Sequence, residues 1–250
     1  MKMLDGKVAI ITGGATGLGR AFALGFADEG AKIVISDIAD EGLKQTTDAI
    51  IAKGGECMWV HADVTKPDEL KRMADEAVKR FGKIDILVNN AAFYAGVTRR
   101  GFTEVSDREW DLMMAVNVKG PWLCTAAVYP YMKAQGKGKV VNLTSETFFT
   151  GSHGFVHYVA SKGGVVGLTR ALSAELGPDN ITVNAVAPGF TDTEGSRTVA
   201  DVTKYDTSKT PLRRLGVPQD IVGATMFLAS DLADFITGQI IIVDGGRAMH

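Results

Sequence analysis

Tyr158 and Lys162, in the run Tyr158-Val159-Ala160-Ser161-Lys162, are the residues of this chain best suited to moving a proton. Four positions apart on a helix, they share a face, so a phenol and an ammonium act on one small region. A free tyrosine has a pKa of about 10. To work as a general base near neutrality it needs a depression of roughly three units, about 4 kcal/mol, which a neighbouring cation helps to supply. Ser145 ends the run Val140-Val141-Asn142-Leu143-Thr144-Ser145 and offers a second hydroxyl, able to hold a substrate oxygen towards Tyr158. The chemistry this suits is removal of the proton of an alcohol, or, in reverse, protonation of a developing alkoxide. Asn117 sits inside a predicted helix, where its amide competes for backbone hydrogen bonds. A buried water-binding role, linking Lys162 to solvent, accounts for it.

An alcohol that loses a proton to Tyr158 must also lose a hydride, and the start of the chain provides for an acceptor. Thr12-Gly13-Gly14-Ala15-Thr16-Gly17-Leu18-Gly19 lies between the first apolar run and the first helix. Glycines there allow a sharp turn and bring backbone N–H groups of Gly13, Thr16, Gly17, Leu18 and Gly19 to a pyrophosphate at the positive end of a helix. The competing reading is a glycine-rich turn that binds nothing. Asp37 follows the second apolar run, where a dinucleotide fold places an acid on the adenosine ribose; it accepts from both ribose hydroxyls and repels a 2′-phosphate. Neither Ile38 beside it nor Ala39 is cationic, so NAD is expected over NADP. A helix cap is the plainer role for Asp37. Asp63-Val64 and Asn89-Asn90-Ala91-Ala92 end the third and fourth strands, where an acid or amide reaches an adenine and small residues leave room for ribose, or where turn residues cap the next helix.

The elements that must position these groups alternate from end to end. Short apolar runs at Val8–Ile11, Lys32–Ser36, Glu56–His61, Ile84–Val88, Lys139–Leu143, Thr182–Val186 and Ile240–Val243 suit strands covered on both faces. Helical patterns run over Gly19–Asp28, Asp40–Lys53, Pro67–Phe81, Glu109–Lys133, Tyr158–Leu176 and Gln219–Ala229. The alternation predicts an α/β chain: a single-domain Rossmann fold over residues 1–250, with a doubly wound parallel sheet of about seven strands and helices on both faces. Phe190 to Leu215 is the least regular stretch and reads as a loop or short helical lid over a site.

Composition excludes several function classes. With 250 residues, 27 basic and 29 acidic side chains and no Lys/Arg block, there is no electrostatic case for nucleic acid or an anionic membrane, and a small molecule is the expected partner. No segment approaches eighteen uninterrupted apolar residues and no charged leader opens the sequence, so a cytoplasmic protein is expected. The two cysteines, Cys57 and Cys124, read as buried reduced thiols. The four histidines form no metal-ligand pattern, and no catalytic metal is expected.

Taken together, TGGATGLG, Asp63-Val64, NNAA, Asn117, Ser145, YVASK and Pro188-Gly189-Phe190-Thr191-Asp192-Thr193 stand in an order and spacing that resembles the classical short-chain dehydrogenase/reductase family over essentially the whole chain. The resemblance implies that Asn117, Ser145, Tyr158 and Lys162 form a catalytic tetrad. It also implies that Pro188, Gly189, Phe190, Thr191 and Thr193 border the nicotinamide, with Thr193 near the carboxamide. Ala92 departs from the family, which usually has glycine after NNA, and narrows the ribose side. Similar proteins are commonly tetramers, and a homotetramer is the corresponding expectation; Ala160, Ser161, Gly163, Gly164 and Gly167 on the Tyr158 helix would allow close helix packing, between chains or within one.

Specificity belongs to the residues after the fourth strand, after Ser145, before Tyr158 and in the lid. Phe93, Tyr94, Phe148 and Phe149 offer aromatic walls, with core packing as the alternative; Glu146, His153, His157 and Arg99 offer polar contacts, with solvated surface as theirs. Tyr94, Ser145, Glu146, Phe149 and His157 are the substrate-contact candidates. Phe155-Val156-His157-Tyr158 followed by ASKGG is similar to bacterial glucose dehydrogenases, whereas TFFTG with ITGQ, VDGG and the terminal His250 is similar to pyridoxal and phenylethanol dehydrogenases. The expected reaction is NAD-dependent interconversion of a small cyclic or aromatic alcohol and its carbonyl. An aldose 1-dehydrogenase, an NADPH-dependent 3-oxoacyl carrier-protein reductase and a non-catalytic NAD-binding sensor are the alternatives.

Overall fold

A computed structural model describes residues 2–249; the terminal His250 of the motif above lies outside them, while its TFFTG, ITGQ and VDGG segments lie within. β1 (Val8–Thr12), β2 (Lys32–Asp37) and β3 (Cys57–His61) form one half of a sheet, and β4 (Ile86–Asn89), β5 (Gly138–Leu143), β6 (Ile181–Pro188) and β7 (Ile240–Val243) the other. Their order is β3-β2-β1-β4-β5-β6-β7, parallel at every pairing. This is the doubly wound sheet the alternating pattern predicts. The order in which strands are added reverses between β1 and β4, and the carboxyl ends of the strands on both sides of that point carry the residues singled out above.

Alternation along β1 shows how the core divides. Ala9 and Ile11 face one layer, with Phe22 and Phe26 of α1 (Gly17–Asp28) and Ile221 and Leu228 of the helix Pro218–Ala229. Ile10 faces the other, with Leu70 and Met73 of the helix Pro67–Phe81. Each such side chain, fully buried, contributes about 1.5–3 kcal/mol. In chain order the remaining helices are α2 (Asp40–Ala52), α3 (Pro67–Phe81), α4 (Asp107–Met114), α5 (Gly120–Gln135), α6 (Thr147–Thr150), α7 (Val156–Leu176), α8 (Glu194–Arg197) and α9 (Pro218–Ala229). α3 matches its predicted span because every local signal agrees: Pro67 at its start, Asp68 and Glu69 in the first turn, Lys79 and Arg80 in the last, and Gly82 at φ 84° closing it.

One expectation fails instructively. The single helix over Glu109–Lys133 is α4 and α5 joined by a π turn, Ala115–Lys119. The wide turn holds Asn117, whose Oδ1 accepts from Phe93 N at 2.7 Å and whose Nδ2 donates to Phe93 O at 3.3 Å and Ser161 Oγ at 3.1 Å. Such turns mark functional sites in other helices, and here the extra residue turns the amide towards the end of β4 and towards α7. A second buried polar chain locks the same elements: Asn89 Nδ2 donates to Asn142 Oδ1 at 2.8 Å, and Asn142 Nδ2 to Thr169 Oγ1 at 2.9 Å, joining β4, β5 and α7. Buried polar chains of this kind fix one packing among the several a purely apolar layer permits, although Asn89 Oδ1 itself is left without a donor.

Candidate active site

The strand ends open onto one cleft of about 840 Å³. Gly13, Thr16, Gly17 and Leu18 line it at one end with Asp37 and Ile38; Asp63, Val64, Ala91 and Ala92 line its side; Ser145, Tyr158, Lys162, Pro188, Gly189, Phe190, Thr191 and Thr193 line the other end. The first turn of α1 carries no acidic side chain, so its positive end faces the cleft uncompensated. Gly13 has φ +68°, and a Cβ there would lie 2.8 Å from Ala91 Cα, so the turn packs directly on the strand end. These features fit a dinucleotide phosphate. Gly19 does not line the cleft: it lies behind the turn, where a Cβ would fall 1.9 Å from Gly13 O. Its expected contact with the cofactor is thus replaced by close packing of helix on turn.

Asp37 is held in place by three backbone donors. Its Oδ1 accepts from Ile38 N at 2.7 Å and Ala39 N at 3.1 Å, and its Oδ2 from Ala15 N at 3.2 Å. The carboxylate therefore both ties the glycine turn to β2 and faces the cleft. Asp63 spends Oδ1 on Thr65, accepting from its N and Oγ1, each at 2.8 Å, so the turn role is realised. Asn90 also departs from expectation. Its Nδ2 donates to Thr12 O at 2.9 Å and Gly13 O at 3.1 Å, which makes its amide a staple of the glycine turn even though the residue borders the cleft.

At the other end Ser145, Tyr158 and Lys162 converge. The Ser145 hydroxyl favours the ionised form of the Tyr158 phenol, and Ser145 Oγ accepts from Thr147 N at 3.2 Å. Lys162 is 4 % exposed; its Nζ donates to Leu143 O at 2.9 Å and lies 5.7 Å from the centre of the Tyr158 ring. Burial pushes the Tyr158 phenol above its ordinary value, with Tyr94 adding to the rise and Ser145 opposing it. Burial also lowers Lys162, to about 8. The chain's own groups thus leave the phenol protonated near neutrality, contrary to the simplest expectation for the pair, because desolvation exceeds the lowering by Ser145. Asn117 does not line the cleft; its amide reaches Ser161, the neighbour of Lys162, and is filled by protein partners.

The substrate end is aromatic. Tyr94 and Phe155 pack on Tyr158 at 5.2 and 5.7 Å between ring centres, and across the cleft Phe190 stacks on Tyr205 at 4.4 Å and 13°. Phe93, Arg99, Glu146 and His153 line the cleft as well. Two substrate candidates are corrected. His157 is fully buried and its Nε2 meets Glu109 Oε1 at 3.2 Å, away from the cleft. Adjacent helix positions point about 100° apart, so the neighbour of Tyr158 faces inward. Phe149 is off the cleft too, its ring 5.0 Å from that of Phe148, which packs towards Gly163 of α7.

Residues that sequence reasoning passed over include Tyr205, in the 190–215 segment, and Arg247, which follows the VDGG run after β7. Arg247 Nη1 donates to the Tyr205 hydroxyl, and Asp244 accepts from the N–H groups of Gly246, Arg247 and Ala248 to build the turn that carries it. Only the glycines marked that turn. The cysteines stay unpaired; burial raises Cys57 to about 11 and Cys124 to about 12, so both are protonated thiols. Among the described residues no group of three or more His, Cys, Asp or Glu is placed to hold a metal, and no helix is long and apolar enough to cross a membrane.

Comparison with known proteins agrees with this geometry. A family model described as enoyl-(acyl carrier protein) reductase matches residues 13–248. The chain is 40% identical over 248 residues to the hydroxy(phenyl)methylsuccinyl-CoA dehydrogenase subunit BbsD of Thauera aromatica, covering 98% of each. It is 39% identical over 245 residues to a 3-oxoacyl-acyl-carrier-protein reductase of Thermotoga maritima, covering 97% of this chain and 98% of that one. Among solved structures, levodione reductase superposes with a TM-score of 0.90 at 32% identity over 98% of both chains. A short-chain type dehydrogenase/reductase from Mycobacterium marinum gives 0.93 at 33% over 99% and 97%. Likeness that runs through both ends of the cleft and nearly the full length of each relative places the chain in the classical short-chain dehydrogenase/reductase family, as an oxidoreductase of the alcohol–carbonyl couple using a nicotinamide cofactor.

Proposed function

We propose that the protein is an NAD-dependent dehydrogenase that interconverts a small cyclic or aromatic alcohol and its carbonyl, with Tyr158 as the general base and acid. The observation that carries this reading is the convergence of Ser145, Tyr158 and Lys162 at one end of a cleft whose other end is Asp37. When bound, an oxidised nicotinamide supplies a hydride acceptor and a positive charge beside the phenol. Ser145 holds the substrate oxygen, Tyr158 takes its proton as the carbon loses hydride, and Lys162 lowers the cost of the phenolate. Asn117 acts at one remove, fixing Ser161 and hence the helix turn that carries Lys162. Tyr94, Phe155 and the Phe190–Tyr205 stack favour a flat apolar ring over an extended polar chain.

Asp37 supports NAD: three backbone donors hold it at the adenosine end, where a carboxylate accepts from ribose hydroxyls and repels a 2′-phosphate. NADPH-dependent reduction of a 3-oxoacyl carrier protein, the activity in the name of the Thermotoga maritima relative, is the opposing reading, and Asp37 argues against it. Initial rates with NAD and NADP over a panel of benzylic alcohols, alicyclic alcohols and sugars separate the two. The expected result is NADH formation with a cyclic or benzylic alcohol, and a loss of kcat/KM of about 10²–10⁴ in Tyr158→Phe with NADH binding retained. A preference for NADPH, or turnover that survives Tyr158→Phe, overturns the proposal. A homotetramer belongs to the same reading; exposed Trp110 and Trp122 beside the π turn, and the open small-residue surface of α7 at Ala160 and Gly167, support burial against other copies.

A further inference from the structure

Glu146, directly after Ser145, is a buried acid with unfinished hydrogen bonding. It is 5 % exposed, its N–H is fixed on Pro188 O at 3.0 Å, and its Oε2 has no donor. Oε1 lies 3.9 Å from Arg247 Nε, within range of an ion pair but too far for a hydrogen bond. Glu146, Phe190, Tyr205 and Arg247 form the wall shared by the main cleft and a second cavity of about 160 Å³ behind it. A buried acceptor left without a donor costs stability, and in a native protein it calls for a ligand or a function.

Asp244 does not meet that need. Its carboxylate adjoins Glu146 but already takes three backbone N–H groups and has no proton donor to offer, so it gives Glu146 Oε2 no hydrogen bond. Burial pushes Glu146 up to about 7, opposed by Arg247 and the Phe190 N–H and assisted by Asp244, so above neutrality the carboxylate stands ionised with Oε2 in want of a donor. The charged groups around it are Arg247 and Asp244 from the turn after β7, with Tyr205 from the 190–215 segment, Tyr158 from α7 and the Phe190 N–H after β6. Arg247, together with Arg99 and Lys162 in the same cleft, disfavours a cationic donor. A hydroxyl both donates and accepts, and so bridges a carboxylate and a guanidinium held slightly too far apart to bond.

We propose that Glu146 and Arg247 form a second polar subsite that selects alcohols bearing another hydroxyl within one or two carbons of the reacting one. The extra hydroxyl donates to Glu146 and accepts from Arg247 while Ser145 and Tyr158 hold the reacting oxygen. The preferred substrates are then cyclic diols and related polyols, and in the reverse direction hydroxyketones. The inference rests on the Ser145–Tyr158 reading above and sharpens its substrate class.

The test compares kcat/KM for cyclohexanol with that for 1,2- and 1,3-cyclohexanediols at pH 8.5, following NADH. The wild type is expected to favour at least one diol about tenfold or more, as befits a hydrogen bond to a charged group. In Glu146→Gln, close to isosteric, and in Arg247→Met, that ratio is expected to collapse to within about threefold of unity whatever the absolute rates. Between pH 8.5 and 6 the wild-type ratio should fall as Glu146 takes up its proton, and the Glu146→Gln ratio should stay flat. A residue that merely supports the fold would not move the ratio. Wild-type turnover without a diol preference, or variants that keep it, overturns this inference alone. No NADH from any alcohol, with the wild type folded by circular dichroism, overturns the parent reading and this one with it.

Discussion

Glu146 makes a separate claim on stability, because the same burial that readies it for a ligand strains the ligand-free fold. Its carboxyl is held at about 7 against 4.5 for an ordinary glutamate. The folded chain keeps the proton longer than the unfolded one, so stability falls as pH rises from about 4.5 to 7 and stays reduced above that, by about 3 kcal/mol. Glu146→Gln removes the ionisation and should raise Tm by about 6–12 °C at pH 8, with the gain vanishing near pH 4.5. Melting curves across that range check it; a constant difference at all pH values would assign the effect to packing. Lys162 shows the same trade, its ammonium kept at about 8 by burial with the Leu143 carbonyl as its acceptor. Stability given up at a buried charge is the common cost of a group poised to react.

Among the elements, the junction of β1 and α1 is the least forgiving. At Gly19 the methyl of an alanine would meet Gly13 O at 1.9 Å, and a backbone carbonyl cannot swing aside as a side chain can. Gly19→Ala should therefore separate turn from helix, lowering Tm by several degrees, since overpacking costs about 1–3 kcal/mol, and weakening NADH about tenfold or more. Gly223→Ala in α9, where nothing lies within 4 Å, is the control and should leave Tm level or slightly raised. Fluorescence titration with NADH and thermal melts read both. The strands were legible because β-branched runs covered on both faces leave a continuous apolar signature, and α3 because caps, charges and periodicity coincide. The π turn was not, since one extra residue in a helix shifts hydrogen bonds without disturbing the apolar rhythm. His157 and Phe149 were misplaced because nearness in sequence to a reactive residue says little about which way a side chain points. Arg247 was passed over because its partner Glu146 meets it only through the pairing of β6 with β7, and nothing local to either residue announces that contact.

At the scale of the whole molecule, several large apolar side chains stand on the surface. All three tryptophans are exposed, Trp59 at 39 %, Trp110 at 38 % and Trp122 at 47 %, and the last two flank the turn that holds Asn117. The proposed tetramer would cover Trp110 and Trp122. Light scattering behind size exclusion should give four times the 26.6 kDa of the chain, and Trp122→Lys should reduce that mass. A wild-type monomer would remove the tetramer from the proposal while leaving the chemistry untouched. The strand order bears on the molecule in another way, through the sequence in which a ribosome releases it. The turn at Gly13 and the acid at Asp37 belong to the first strands to emerge, whereas the wall that sets Arg247 against Glu146 waits for β7. Chains fold as they are made, from the amino terminus onwards. The half-sheet at the proposed coenzyme end is thus born well before the wall proposed to choose among alcohols, and on that reading a growing chain acquires its selectivity last.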